Sequence, residues 1–518
     1  MKLKAKTKTK LVSKQILVTK IKELKEKDKE LKLLLGVSAL LHWDRATQMP
    51  VSAVEERGDQ LAYLGVLAHS KATDSKLYSL VNFLFKYKNQ LSKIDCSLVE
   101  RFKIDLSKQR KIPQKHVEDF ARLSAESEHY WEVAREKKNY GLFKPYLEKV
   151  VAMKKKEAKL IDSKRNAYDV LLQDYEEGTT IAQIDPVFDQ FKKELIEIIN
   201  KIKSSKKYKQ QKNKFAKLKF SVDKQKEAVA DVISYIVDCP DRFFDYKSVH
   251  PFTTRMSYND VRQTTAYRKS DPLFSFTSTA HESGHALYEL GMGANLSGGS
   301  LCDAPSFGIH ESQSRIWENQ VMRGKPFWKF YWKKFAAKFP ELKKLGFEEF
   351  LFQVNKVEPS FIRIEADEVT YAIHIIIRYE IEKDLFAGKI KVKYLPKEWN
   401  KRYKQYLGIT PRNDSEGVLQ DVHWSSGFLG YFPTYLIGTM YSAMLFNQIK
   451  KEIPDIEKQF SKGKFDGFRN WLREKIHKHG RTMSTPEIIK KATGRELTHV
   501  DLINYFKEKY YPIYGIKE

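Results

Sequence analysis

The sequence has few of the residues that cross-link or interrupt a chain. Only 3 of its 518 residues are cysteine, at positions 96, 239 and 302, and none has CxxC spacing. An odd number of widely spaced cysteines argues against a disulfide framework and favours a reducing compartment. Gly and Pro are sparse and scattered, at 24 and 17 residues. No linker is evident, so we expect residues 16–518 to form a single domain.

Long apolar runs are also missing. No stretch approaches the ~20 apolar residues of a membrane-spanning helix. The first residues, MKLKAKTKTKLVSK, are basic, but only a broken apolar stretch follows them, whereas a signal peptide needs a continuous one. We therefore expect a cytoplasmic protein without a membrane partner, and a loose basic stretch over residues 1–15.

Charge of one sign dominates the chain. Lys and Arg number 93 against 66 Asp and Glu, a formal net charge of +27. A strongly basic chain suits either a solvated lysine-rich surface or the binding of nucleic acid or acidic partners. The lysines are spread over the whole sequence and no nucleic-acid-binding motif accompanies them. The solvated surface is the favoured interpretation, and no nucleic-acid partner is expected.

The hydrophobic pattern predicts a mainly α-helical fold. Apolar residues recur at three- and four-residue spacing, as at Phe120, Leu123 and Trp131, and residues 186–236 read as helices. Alternating patterns are few, and the best candidates for strands are short, at residues 274–279 and 390–394. The sequence therefore predicts helices with a very small β-sheet.

The residues that carry chemistry centre on His281-Glu282-Ser283-Gly284-His285. Positions i and i+4 share one face of a helix, so both imidazoles can bind one ion, and Glu282 between them can reach a water on that ion. This is the arrangement of a zinc peptidase, in which three protein ligands leave a fourth position for water. The alternative is two surface histidines on an ordinary helix.

A third ligand is harder to assign from spacing. Metzincins place a third His six residues after the second, but that position here is Gly291, which excludes the class. A Glu on a later helix is the other common solution. Glu311 fits this role, and the Gly- and Ser-rich segment before it allows the chain to turn back. His310 remains a rival ligand at this point.

Five short motifs occur in the order found in one peptidase family. They are His250-Pro251-Phe252, DxRxT at 260–264, HExGH at 281–285, HESQ at 310–313 and GxxQDxHW at 417–424. Together they resemble the carboxypeptidase Taq family, the M32 metallocarboxypeptidases. The resemblance extends over most of the chain, although the lysine-rich first stretch is less typical.

The resemblance implies a neurolysin-like zincin architecture, with two helical lobes around a deep groove that holds the metal at its floor. It also implies a homodimer that removes single residues from the free C-termini of peptides, with broad side-chain tolerance. The metal would be Zn²⁺, with Co²⁺ as a possible substitute. In the HESQ motif of this family the Glu is the third ligand, which favours Glu311 over His310.

The expected mechanism gives each remaining residue a role. Glu282 would take a proton from the metal-bound water and pass it to the leaving amine. His423, followed by Tyr431 and Tyr435, is the candidate for a second donor to the oxyanion. Arg363 resembles the family's candidate for binding the substrate carboxylate, and its fork suits that group. A salt bridge to Glu365 or Asp367 is the alternative.

Other motif residues are expected around the metal ligands. Zinc-bound imidazoles generally donate their other N–H to a carboxylate or carbonyl. The residues expected to support the site in this way, with the two acids as the first candidates, are His250, Asp260, Arg262, Gln313 and Asp421.

Rival functions differ in the products that they predict. An oligopeptidase or a dipeptidyl carboxypeptidase on the same fold would cut internally or release two residues. An aminopeptidase is disfavoured, because the only echo of the GAMEN strand of zinc aminopeptidases, at residues 291–295, lies after the His motif and not before it. A non-enzymatic basic binding protein would show salt-sensitive binding that survives loss of Glu282.

Overall fold

The computed structural model describes residues 12–215 and 218–517. Within them the chain forms twenty-one α-helices and one three-stranded sheet, so the predicted mainly α fold with a very small sheet is confirmed. Of the predicted loose stretch 1–15, residues 1–11 lie outside the described residues. The first helix begins at Lys14, where the side chain of Ser13 accepts from the backbone N–H of Ile16 at 3.4 Å.

Ten helices precede the sheet. They are α1 Lys14–Thr47, α2 Val54–Ala72, α3 Ser75–Lys86, α4 Lys93–Gln109, α5 Gln114–Glu136, α6 Tyr140–Ile161, α7 Ala167–Leu172, α8 Ile181–Ser204, α9 Lys206–Gln210 and α10 Val222–Ile236. The helices predicted for residues 186–236 correspond to α8, α9 and α10. A capping box between Thr180 and Gln183 starts α8, in which each residue bonds the other's backbone N–H.

The sheet consists of β1 Phe243–Lys247, β2 Thr253–Ser257 and β3 Asp260–Thr265. Its order is β1-β3-β2, with β1 parallel and β2 antiparallel to the central β3. The register pairs Tyr246 with Thr264 and Thr253 with Gln263. The central strand is the buried one, so the sheet presents β3 to the helix that follows it.

Eleven helices follow the sheet. They are α11 Pro272–Leu290, α12 Phe307–Arg315, α13 Lys325–Lys338, α14 Gly346–Val354, α15 Tyr371–Phe386, α16 Leu395–Leu407, α17 Pro433–Glu452, α18 Ile456–Phe460, α19 Asp466–Lys475, α20 Thr485–Thr493 and α21 Val500–Tyr514. A π-helical segment, Ile316–Met322, continues α12.

Both predicted strands are wrong. Residues 274–279 lie inside α11, because Asp271 caps the backbone N–H of Leu273 at 2.9 Å and Pro272 occupies the first helical turn. Asp271 and Pro272 start a helix, although the alternating pattern of residues 274–279 is typical of a strand. Residues 390–394 form a loop that ends in a single 3-10 turn, Val392–Tyr394.

The sheet fixes the position of α11 through buried polar contacts. Ser283 on α11 donates to the side-chain oxygen of Gln263 on β3 at 3.0 Å. One turn earlier on α11, the hydroxyl of Thr279 lies 3.2 Å from that of Thr265. Because hydrogen bonds between buried groups are costly to break, α11 has one defined orientation on the sheet.

A deep groove of about 1110 Å³ separates two helical lobes, as predicted. The groove is lined by α4, the chain around α7, β2, α11, α12 and α17. Among the described residues, no helix has both the length and the apolar character needed to cross a membrane.

Candidate active site

Three side chains converge on one point at the floor of the groove. His281 and His285 lie one turn apart on α11, and Glu311 lies on α12. The Nε2 atoms of His281 and His285 are 3.7 and 3.4 Å from Oε2 of Glu311. The three potential ligand atoms all lie within 4.8 Å of one another, and no other such group occurs in the described part of the chain.

Two glycines allow α12 to carry Glu311 this close. A Cβ on Gly284 of α11 would lie 2.5 Å from the backbone oxygen of Gln313 on α12. On the opposite side, a Cβ on Gly438 of α17 would lie 2.7 Å from Cβ of Glu311. Since real contacts at that distance do not occur, only glycine fits at either position. The Gly of the HExGH motif is therefore a packing requirement of the site.

The protonation of the three groups suits a cation between them. Burial would raise the pKa of Glu311, but Arg315, at 2.7 Å, and the two histidines outweigh it and hold that pKa well below its usual range. Burial lowers the pKa of His285 to about 3. Burial also opposes protonation of His281, but Glu311 and Glu318 outweigh it and raise its pKa, so this ring attracts positive charge.

The donor set fits a divalent metal of the zinc type. Two imidazole nitrogens and one carboxylate oxygen are the ligands of a common class of catalytic zinc site. Each Nδ1 is already bonded, which leaves Nε2 of each ring free. His310, the rival ligand, lies outside this group because its Nδ1 faces Nδ1 of His285.

His281 is oriented by a carboxylate. Its Nδ1 donates to Oε2 of Glu318 at 2.9 Å, and Glu318 lies in the π-helical segment after α12. Arg315 and Arg323 contact the same carboxylate at 3.2 and 3.3 Å. Burial opposes ionisation of Glu318, but Arg315 and His281 outweigh it and lower its pKa to about 2. Glu318 therefore accepts a hydrogen bond from His281 as an anion.

His285 is oriented by another imidazole. Nδ1 of His285 lies 2.5 Å from Nδ1 of His310, and Nε2 of His310 lies 2.9 Å from Oε1 of Glu289. Glu289 also forms an ion pair with Arg255 at 2.9 Å. Burial opposes ionisation of Glu289, but Arg255 and His310 outweigh it and lower its pKa to about 2.

Glu282 lies beside the three potential ligands, at the edge of the groove. Its Oε2 accepts from the hydroxyl of Thr253 at 2.7 Å, and the same hydroxyl lies 2.9 Å from the backbone oxygen of Glu282. Burial raises the pKa of Glu282, although His281 and Thr253 act in the opposite direction. A carboxylate with a raised pKa is a stronger proton acceptor, as a general base requires.

The predicted donors to the oxyanion form an aromatic group at the groove. Tyr431 and Tyr435 line the groove. Nε2 of His423 lies 3.3 Å from the Tyr435 hydroxyl, and its ring stacks on Tyr431 with centroids 5.5 Å apart. Burial lowers the pKa of His423 to about 4, so its imidazole is neutral near pH 7.

Arg363 lies behind Tyr435 and is already paired. Its Nε and Nη2 donate to Oδ1 of Asp421 at 3.1 and 2.8 Å, and its Nη1 donates to the Tyr371 hydroxyl at 3.3 Å. Asp421 also binds Arg378 at 2.6 Å. The guanidinium lies 5.0 Å from the ring of Tyr435. The partner of Arg363 is Asp421, and not Glu365 or Asp367.

The other residues expected near the ligands lie elsewhere. Asp260 and Arg262 bind each other at 2.8 and 2.7 Å on β3, where Arg262 lies over the ring of Trp43. The His250 side chain is exposed. Gln313 bonds His477 at 2.9 Å. Within the described chain, neither these four residues nor Asp421 hydrogen-bond to His281 or His285; Glu318 and His310 do so instead.

Three of the residues missed by sequence reasoning had a usable signal. Glu289 follows His285 by four residues and Glu318 follows Glu311 by seven, spacings that return to the same helix face. Thr253 directly follows the His250-Pro251-Phe252 motif. Arg255 had no such signal, because its contact with Glu289 depends on the packing of β2 against α11.

Comparison with known proteins shows a family that this chain resembles over most of its length. A family model described as carboxypeptidase Taq (M32) metallopeptidase matches residues 23–510. Carboxypeptidase 1 of Bacillus subtilis is 37% identical over 478 residues, which are 92% of this chain and 95% of that protein. Thermostable carboxypeptidase 1 of Thermus thermophilus is 34% identical over 505 residues, which cover 95% of this chain and 98% of that protein.

Solved structures show the same similarity. The M32 carboxypeptidase from Deinococcus radiodurans superposes with a TM-score of 0.93 at 34% identity, covering 96% of this chain and 100% of that chain. Metallocarboxypeptidase 1 of Trypanosoma cruzi gives a TM-score of 0.92 at 30% identity, covering 95% and 99%. With a family match over nearly its whole length, this chain belongs to the carboxypeptidase Taq (M32) family of metallopeptidases.

Proposed function

We propose that this chain is a zinc-dependent carboxypeptidase that releases single residues from the free C-termini of peptides, with broad side-chain tolerance. The observation that carries the proposal is the convergence of His281, His285 and Glu311 beside Glu282 in an open groove. Zn²⁺ is the proposed metal, and Co²⁺ is a substitute with similar ligand preferences.

When bound, the ion would lower the pKa of a water and polarise the scissile carbonyl. Glu282 accepts a proton from the attacking water and then donates it to the leaving amine. Thr253 supports this role, because its hydroxyl holds one carboxylate oxygen and leaves the other for the proton. Burial helps in the same direction by raising the pKa of Glu282.

Donors other than the ion stabilise the oxyanion that develops on the substrate. Tyr431 and Tyr435 border the groove, and His423 contacts the Tyr435 hydroxyl. In this proposal the two hydroxyls and His423 supply the second donor together. Loss of one such donor typically lowers turnover by about 10²–10³.

Arg363 is the proposed receptor for the substrate's terminal carboxylate. Because Asp421 holds its Nε and Nη2, the substrate would bind at Nη1 in place of the Tyr371 hydroxyl. Asp421 pairs with Arg378 as well as with Arg363, so it neutralises only one of the two guanidinium charges. Two arginines on one aspartate leave a net positive charge for an anionic chain end.

The size of the groove supports an alternative function, an enzyme that cleaves peptides further from the C-terminus. A space of about 1110 Å³ holds several residues of a peptide on both sides of the cleaved bond. An oligopeptidase or a dipeptidyl carboxypeptidase would use this room to cut further from the chain end.

We also propose a homodimer in the cytoplasm. Helix α2 has no buried residue, and Tyr63 and Val66 are 71% and 70% exposed. An exposed apolar face of this kind is typical of a surface that contacts another protein chain. The three free cysteines suit a reducing compartment.

Analysis of the reaction products tests the proposal. A peptide mixture with free C-termini should lose single residues, as read by mass spectrometry, and the reaction should stop with a chelator and resume with added zinc. Matched peptides with amidated C-termini should be cleaved poorly. Internal cleavage or release of dipeptides would support the alternative, and cleavage unaffected by chelator would contradict the metal mechanism.

A further inference from the structure

The two histidines of α11 are oriented by different means. Glu318 binds His281 directly, as a carboxylate usually does for a histidine ligand. His285 instead contacts the imidazole of His310, with the two Nδ1 atoms 2.5 Å apart. The far side of His310 ends on Glu289 at 2.9 Å. His285 therefore lies at the end of a chain of two imidazoles and one carboxylate.

The charges around Glu289 fix the direction of this chain. Glu289 pairs with Arg255 at 2.9 Å, Arg255 also contacts Asp303, and Lys32 of α1 contacts Asp303 at 2.6 Å. The Arg255 and Glu289 side chains are only 10% and 14% exposed. A carboxylate bound to a buried guanidinium stays ionised and can only accept hydrogen bonds. His310 must therefore donate to it from Nε2.

The position of the proton on His310 determines which nitrogen of His285 carries a proton. A neutral imidazole carries a single N–H. When Nε2 of His310 donates to Glu289, its Nδ1 is an acceptor, and Nδ1 of His285 must donate. The lone pair of His285 then lies on Nε2, the atom that is 3.4 Å from Oε2 of Glu311.

We infer that Glu289 and His310 form a positioning relay that selects the metal-binding tautomer of His285. The inference rests on the zinc site of the proposed function and adds to it two residues that act through His285. Loss of such a partner typically lowers metal affinity by about 10–100-fold. The relay also connects the metal site to α1, through Arg255, Asp303 and Lys32.

Two substitutions of His310 separate the relay from simple packing. His310→Phe keeps a ring against Tyr288, whose centroid lies 5.2 Å away, but removes the acceptor. His310→Asn restores an acceptor, because Oδ1 of Asn lies as many bonds from Cα as Nδ1 of His. Zinc affinity, measured by competition with a chromophoric chelator, should fall about 10–100-fold in His310→Phe and recover in His310→Asn.

The visible spectrum of the Co²⁺-loaded protein gives a readout that packing alone would not move. It should change in His310→Phe and stay close to that of the parent in His310→Asn. Glu289→Gln should also weaken zinc binding and alter the spectrum, since an amide no longer forces His310 to donate. This variant carries the test if His310→Phe does not fold. His499→Phe, which disrupts a His–Glu contact of 3.1 Å outside the site, is the matched control.

The outcomes are distinct. Parent-like zinc affinity and cobalt spectra in His310→Phe, or in Glu289→Gln if His310→Phe does not fold, would overturn the relay, while the zinc site of the proposed function would stand. A parent protein that binds no zinc in the same titration would overturn both. A loss in His499→Phe equal to that in His310→Phe would also overturn the relay, because the effect would then be general destabilisation.

Discussion

At the scale of single residues, the chemistry depends on two carboxylates in the groove, and their surroundings shift their pKa values in opposite directions. Burial raises the pKa of Glu282, whereas Arg315 and the histidines keep Glu311 ionised despite its burial. One therefore suits the transfer of a proton and the other suits the binding of a cation.

Glu282→Gln is expected to remove activity and keep the metal. The amide cannot accept the proton, and general bases contribute about 10²–10⁴ to rate. Peptide hydrolysis should fall by at least that factor, while zinc content measured by mass spectrometry stays at one ion per chain. Glu348→Gln, at a carboxylate 74% exposed, is the control. Turnover close to that of the parent would exclude Glu282 as the base.

Arg363→Ala is expected to raise KM chiefly for peptides with free C-termini. The substitution removes the proposed partner of the terminal carboxylate, but it also leaves Asp421 with Arg378 alone. Comparison of kcat and KM on free and amidated versions of one peptide separates these effects. An equal change on both versions would show that Arg363 acts only through Asp421.

Glycine contacts control the site at the scale of secondary-structure elements. Gly284 on α11 and Gly438 on α17 let α12 pass between the two helices with Glu311 on its inner turn. The metal site thus depends on how closely three helices approach as well as on its ligands. The His motif fixes the spacing along α11, but the approach of α12 is set by positions far apart in sequence.

Gly284→Ala is expected to weaken zinc binding and stability together. Its Cβ would meet the backbone of α12 at 2.5 and 2.8 Å, and overpacking of this kind typically costs about 1–3 kcal/mol. Gly65→Ala is the matched control, because it lies within helix α2 with nothing near its Cβ. That control should keep parent zinc affinity and gain slightly in stability. Equal behaviour of the two variants would contradict the role given to Gly284.

A buried acid between α7 and α8, Glu176, contacts the start of α12 and makes stability depend on pH. Burial raises the pKa of Glu176 from 4.5 to about 8, and its carboxyl accepts from the backbone N–H of Gly308. Between these values the folded state keeps a proton that the unfolded chain has lost. The stabilisation is therefore complete below about pH 4.5 and is lost as pH rises through about 8.

Glu176→Gln should remove this part of the pH dependence. The melting temperature of the variant, relative to the parent, should rise between pH 5 and about pH 8 and change little below that range. Each unit of pKa difference is worth about 1.4 kcal/mol, so the effect is measurable. If the melting temperatures of the two proteins change with pH in parallel across this range, Glu176 is not a buried neutral acid.

At the scale of the whole molecule, the hairpin of α1 and α2 carries a group of exposed apolar side chains. Val51, Tyr63 and Val66 are 87%, 71% and 70% exposed, and α2 has no buried residue. The proposed homodimer would cover this face.

The dimer gives a direct expectation for mass in solution. Light scattering should find twice 60.7 kDa for the parent and the monomer mass for Val66→Glu, because a buried unpaired charge opposes association. Val500→Glu, at a position 46% exposed on α21, should stay dimeric. A monomeric parent, or a dimeric Val66→Glu, would exclude this interface.

A structural feature can be predicted from the sequence when it depends on residues that are close together along the chain. Helical periodicity and the spacing of His281 and His285 are local. The fold class, and the face of α11 that carries both histidines, therefore follow from the sequence. Strand pairing is not local, and the cap formed by Asp271 and Pro272 overrides the apparent strand behind it. The spacing of Glu311 and Glu318 predicts a shared helix face. The contacts of Glu318 with His281 and of His310 with His285 depend on the path of α12 and its π-helical continuation, which the spacing alone does not give.

X-ray diffraction from zinc-loaded crystals, recorded on both sides of the zinc absorption edge, locates the metal directly. We expect one anomalous peak per chain, in contact with Nε2 of His281, Nε2 of His285 and the carboxylate of Glu311, and with no bond to Glu282. A peak centred on His310 or on any other set of side chains, or no peak from protein saturated with zinc, would contradict this expectation.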